Sequence, residues 1–187
     1  TFLMSFCTSP MEAAKIAVNA PTVATTAMLT GDNRRTAAAV AREAGIDLVL
    51  QGHDHIYAVT KPINEKGEAQ EPEMLSLDYE GSAIPHMKNP RGVVYMVPNT
   101  AGPKVYYKNK DITAKDAAYY DKFVYAEENS AARYASAADE SRPPRGIIQN
   151  FVEISVNPGR ISAVVYEIDR NQGDTPYVLH TFGIVKD

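Results

Sequence analysis

A single cysteine, Cys7, in 187 residues excludes an internal disulfide, so sulfur chemistry assigns no redox compartment. Tryptophan is absent and phenylalanine scarce, with 5 residues, so 11 tyrosines carry most of the aromatic content. No apolar run approaches the roughly 20 residues that a membrane-spanning helix needs. An excess of one charge is missing too. The 19 Lys and Arg stand against 23 Asp and Glu, for a formal net charge of −4, and no basic cluster occurs, which argues against nucleic acid as the main partner. With 11 glycines and 12 prolines the chain is neither collagen-like nor strongly disordered. What is there is ordinary globular usage: 44% hydrophobic residues, enough at this length to bury a substantial core in a single domain over 1–187. The first residue is Thr1, with no initiator Met and no charged-then-apolar leader, which predicts processing, trimming or a piece of a longer chain.

The first 51 residues predict alternating helix and strand. Ser9-Pro10-Met11-Glu12 has the form of a capping box that opens a helix over 10–19, stopped by Pro21. Thr22 to Leu29 is β-branched and apolar, hence a strand, and Thr30-Gly31-Asp32-Asn33 is turn chemistry. An Ala-rich helix over 34–44 ends at Gly45, and Asp47-Leu48-Val49-Leu50 reads as a short buried strand. Strand, helix, strand with short connections predicts a parallel pair and an α/β core. Residues 52–110 read as extended segments at 57–63 and 93–97 around a polar loop over 64–73. Residues 111–146 read as a helical, Ala- and Tyr-rich stretch broken by Pro143-Pro144. Residues 147–187 read as a β-meander with a type II turn at Asn157-Pro158-Gly159-Arg160. The fold class expected is mixed α/β, a β-sandwich core flanked by helices.

The segment that carries chemistry is Gly52-His53-Asp54-His55, directly after the Asp47–Leu50 strand. Two of the chain's four histidines fall within three residues at the carboxyl end of a core strand, where open α/β sheets place ligands. In an extended segment, residues i and i+2 point the same way, about 7 Å apart at the backbone. Imidazoles so placed can reach two metal ions roughly 3.5–4 Å apart. Gly52 allows a sharp turn, and Asp54 either orients an imidazole or faces solvent.

Leu48 through Ala58, with Thr60-Lys61-Pro62-Ile63, resembles the last signature of calcineurin-like metallophosphoesterases, the class that includes purple acid phosphatases. Val93 through Tyr106 resembles the strand and loop that follow in bacterial, often exported members, and Arg142-Pro143-Pro144-Arg145-Gly146 with the terminal meander fits the same tail. The resemblance covers residues 47–187. It implies a dinuclear site of two divalent or trivalent metal ions (Fe, Zn or Mn), with His53 and His55 each ligating a metal and a phosphate mono- or diester as substrate. It also implies export. The family's earlier D-x-H and G-N-H elements and its lone upstream His have no counterpart, because no histidine precedes His53. The chain is therefore expected to be either the carboxy-terminal part of a longer enzyme, completed by a missing amino-terminal half or another chain, or a degenerate relative that acts as a non-catalytic binding or scaffold module.

Met28 through Asp47 is similar to the strand–turn–helix of the phosphorylation domain in P-type cation ATPases, but D-K-T-G-T and G-D-G-x-N-D are absent. Asp32 and Asn33 are read as helix caps, with phosphate binding at the turn as the functional alternative. A haloacid-dehalogenase-like phosphotransfer fragment, suggested by Thr30–Asn33, ranks last because its nucleophile motif is missing. Gly173-Asp174-Thr175-Pro176-Tyr177 matches G-D-x-x-Y by letter and is read as a turn. Asn99 and Lys104 flank a Pro/Gly loop and are weak substrate candidates. His86 is expected on the surface in a Pro-containing loop, His180 in the last strand, Cys7 as a buried small residue, and the tyrosines from Tyr106 to Tyr134 as packing residues.

Overall fold

The computed structural model describes residues 2–3, 14–17, 26–30, 45–52, 55–99, 115–126, 148–170 and 172–187. Twelve strands run through them: β1 (Phe2–Leu3), β2 (Ala14–Ala17), β3 (Thr26–Thr30), β4 (Leu48–Gln51), β5 (Tyr57–Thr60), β6 (Glu73–Tyr79), β7 (Ser82–Lys88), β8 (Val94–Pro98), β9 (Phe123–Ala126), β10 (Ile148–Asn157), β11 (Arg160–Asp169) and β12 (Tyr177–Val185). They form two six-stranded sheets, one ordered β1-β10-β11-β12-β7-β6 and the other β2-β3-β4-β8-β5-β9. Both are mixed. β12 runs parallel to β7 in the first, and β3, β4 and β8 run parallel in the second.

The sheets share one core because their inward residues alternate. Leu48 and Leu50, Tyr57 and Val59, and Val94 and Met96 meet Met87, Ile161, Ala163, Val165, Phe182 and Ile184, all buried. The period of two along β11 sends Ile161, Ala163 and Val165 inward and Ser162 and Val164 to the opposite face. β4 is buried along its whole length, since Val49 joins Ile46 and Val93 in a second cluster on the far face of its sheet. That explains its uninterrupted apolar run.

The expectation of an α/β core flanked by helices is overturned. Among the described residues there is no α-helix element, only a 3-10 turn over Tyr119–Lys122. Ala14–Ala17, inside the helix expected over 10–19, pairs antiparallel with β3: Ala and Lys favour a helix, but over four residues that preference is small, and strand pairing overrides it. Phe123–Ala126, inside the helical stretch expected from 111, pairs with β5. Its Phe-Val-Tyr run alternates half-buried, exposed, half-buried, a period of two that the aromatic i, i+3 and i+4 spacing concealed. The helix expected over 34–44 lies outside the described residues. β3 does pair parallel with β4, and Gly159 takes the positive φ, 70°, that a type II turn asks of its third residue.

The β6–β7 hairpin was not anticipated. Glu80 and Gly81, both at positive φ (51° and 81°), form the two-residue turn that matches strand twist. Pro85 hid β7. It sits just before His86–Lys88, the only part of β7 that pairs with β12, where a missing N–H costs no bond on that side. The consequence falls on His86, expected at the surface but fully buried. Its Nδ1–H donates to the Ile84 carbonyl at 3.0 Å, leaving Nε2 to accept from the Ser162 hydroxyl at 2.9 Å. Burial pushes its pKa below the ordinary value, so the neutral ring serves as packing.

Candidate functional site

Three parallel strands end together. Thr30 of β3 lies opposite Gln51 of β4, and Leu50 opposite Met96 of β8. β5 then returns antiparallel on the other side of β8, with Tyr57 opposite Pro98. β8 lies between β4 and β5 in the sheet, so Gly52 after β4, His55 before β5 and Asn99 after β8 stand at the same end of the sheet. Strand order thus brings Gly52, His55 and Asn99 to one edge, a position that sheet topology favours for ligands.

His55 is half-buried there and engaged with the protein. His53, Asp54, Asp32 and Asn33 lie outside the described residues, as do Lys104 and Cys7. Among the described residues no three His, Cys, Asp or Glu side chains come together as a metal-ligand group. The dinuclear centre that the motif implies therefore has one described member, His55, and no reaction step is derived through it.

Asn99 is buried and holds a left-handed backbone, φ 63°. Its side chain turns inward: Nδ2 donates to Asn150 Oδ1, Asn150 Nδ2 donates to Glu167 Oε2 at 2.8 Å, and the Tyr177 hydroxyl donates to Glu167 Oε1. Asn150 and Glu167 have no exposed surface. This polar chain joins β8 in one sheet to β10, β11 and β12 in the other. A buried hydrogen-bonded network of this kind fixes one arrangement of the elements that carry it, and here it uses the Asn99 Nδ2 to hold the sheets together. The sequence signal missed was the alternation in β10 and β11, which places Asn150 and Glu167 at inward-facing register partners, opposite one another.

The other expected histidine is also structural. His180 Nδ1 lies 2.8 Å from the Tyr57 hydroxyl. Its ring stacks on Tyr125, 4.8 Å between centroids and 23° between planes, with Phe182 at 6.1 Å. Burial pushes its pKa down to about 4. A folded-state pKa below the unfolded value of about 6.5 means that the unfolded chain binds the proton first. Stability from this ring is complete above pH ~6.5 and drains away as pH falls toward ~4. Allowing for its partial exposure, the expected loss is about 2–3 kcal/mol. Denaturant midpoints measured between those pH values in the native chain and in His180→Phe test this: the variant should have a shallower slope, keeping the part that buried His86 contributes, and an unchanged slope would refute the assignment.

The sequence matches no protein-family model and no curated protein. Among solved structures the chain is similar to Vps29 of Chaetomium thermophilum, with a TM-score of 0.37 and 8% identity over 92% of this chain and 61% of that one. The chain thus spans less than two thirds of Vps29, a distant structural neighbour of calcineurin-like metallophosphoesterase fold. Likeness this remote speaks to neither activity nor site residues.

Proposed function

We propose that the chain is a binding or scaffold module built on a metallophosphoesterase-like sandwich, and that it is not a self-sufficient phosphoesterase. One observation carries this reading. Of the four histidines in the sequence, His86 is locked between Ile84 and Ser162 and His180 between Tyr57 and Tyr125. Only His53 and His55 remain as imidazole ligands, fewer than the resemblance asks of a dinuclear centre. Among the described residues, Asn99 at that edge turns its Nδ2 inward to Asn150. Elemental analysis of the purified chain after saturation with manganese, iron or zinc and gel filtration tests the reading. Retention well below two equivalents per chain is expected, and two equivalents would overturn it.

The second reading is hydrolysis of a phosphate mono- or diester with iron, zinc or manganese held in part by His53 and His55. The strand-end position of Gly52 and His55 favours it. On this reading further ligands come from carboxylates beyond the described residues or from another chain.

A further inference from the structure

The outer face of the first sheet, opposite the core, carries Phe151, Glu153 and Tyr166: Phe151 pairs with Tyr166, and Glu153 with Val164. The Phe151 and Tyr166 rings stack across β10 and β11, 4.9 Å between centroids and 16° between planes. A third ring arrives from far along the sheet. β6 stands four strands from β10, about 19 Å away were the sheet flat, yet the Tyr79 hydroxyl donates to Glu153 Oε1 at 3.1 Å. The sheet is therefore rolled. β7 joins β12 only over His86–Lys88, which leaves the far end of the β6–β7 hairpin to fold over this face. The Arg160 guanidinium donates to the Asp78 carbonyl at 3.2 Å and holds it there.

Glu153 is half-buried, and its carboxylate meets hydroxyls but no cation. Tyr79 serves Oε1, and the Tyr166 hydroxyl stands 3.5 Å from Oε2. Among the described residues neither Glu153 nor the exposed Glu80 forms an ion pair. Arg160 does not supply one. It lies four residues along β11 from Val164, the partner of Glu153, about 13 Å, and its charge falls on His86. Burial first and Glu153 next push the Tyr79 and Tyr166 hydroxyls above their ordinary pKa, and Glu80 adds to both. Among the described residues no cation pulls either back.

We infer that this face is a recognition site for the guanidinium of an arginine carried by a partner protein. Three features select that group. The uncompensated acidic charge selects a cation. A carboxylate has about four lone-pair sites, so one hydroxyl at each oxygen leaves a site on each. That suits the two-pronged fork of a guanidinium better than the point charge of an ammonium. The stacked rings, both half-buried, offer flat faces on which a planar cation lies. A bare metal ion is the poorer occupant, since among the described residues no three His, Cys, Asp or Glu side chains gather. Val178, opposite Tyr166 on β12 and 54% exposed, gives the residues flanking that arginine an apolar contact, which favours a chain over free arginine. The inference rests on the scaffold reading and names the anchor of its partner.

The probe is a capped Gly-Val-Arg-Val-Gly peptide titrated into the isotope-labelled full chain and followed by amide NMR shifts. Twin peptides carry lysine or the neutral isostere citrulline in place of the arginine. Shifts should centre on Phe151, Glu153 and Tyr166. The arginine peptide should bind about threefold more tightly than the lysine twin and at least about tenfold more tightly than the citrulline twin. Glu153→Gln, which keeps an acceptor for Tyr79, should weaken binding by about tenfold or more, and Phe151→Leu by about threefold. Citrulline bound as tightly as arginine, or native affinity in Glu153→Gln, would overturn the inference and leave the metal result intact. N-acetylarginine amide bound as tightly as the peptide would overturn the partner chain as the source. Aryl phosphate hydrolysis by a chain that binds the peptide as expected would instead sink the scaffold reading and leave the arginine site standing.

Discussion

Gly183→Ala is expected to destabilise the chain by about 3 kcal/mol or more, the upper end of what overpacking costs. Gly183 lies on β12 opposite Ser162 of β11 and beside His86 of β7, and the His86 ring occupies the space where a β-carbon would stand. A methyl group there would overlap Cδ2 and Nε2 of that ring and lie 2.6 Å from the Ile161 carbonyl oxygen. The ring cannot swing away without breaking its bonds to Ile84 and Ser162, and the carbonyl cannot move without disturbing the β11–β12 ladder. Glycine is needed here for space alone. His86→Ala in the same chain should recover part of the loss, since it removes the ring and leaves the carbonyl contact. With no tryptophan and 11 tyrosines, urea unfolding is followed by circular dichroism or tyrosine fluorescence. A loss under about 1 kcal/mol would show that His86 does not occupy that space.

Asn150→Ala is expected to cost about 3 kcal/mol. The Asn150 amide stands between two groups with no route to water: it donates to Glu167 and accepts from Asn99, and both are buried. Truncation leaves a buried carboxyl group and a buried amide short of a partner at once, which costs more than the net worth of either bond. Tyr177→Phe removes one donor to Glu167 at the solvent-facing end of the chain and should cost less, about 1 kcal/mol. Urea midpoints for the two variants give the order directly. An Asn150→Ala loss no larger than that of Tyr177→Phe would contradict the account of the network.

Much of the fold could be read locally. The period of two in β10, β11 and β12, the turn at Pro158-Gly159 and the apolar run of β4 are properties of adjacent residues, and each is where the sequence places it. What failed was decided by partners far along the chain. Ala14–Ala17 is a strand because β3 lies beside it, and Phe123–Ala126 because β5 does. His86 is buried because Pro85 falls where β7 has no neighbour on the β12 side. The site shows the same division. Its strand-end position follows from the order of β4 and the glycine after it. The inward turn of Asn99 depends on Asn150 and Glu167, which no local pattern links to it.

The central claim, that this chain does not by itself assemble a hydrolytic centre, is tested most directly by aryl phosphate hydrolysis. The native chain and a His53→Ala/His55→Ala variant are compared with manganese, iron or zinc supplied. Turnover indistinguishable from the metal-only blank in both proteins is predicted. Sustained turnover by the native chain that disappears in the variant would contradict it.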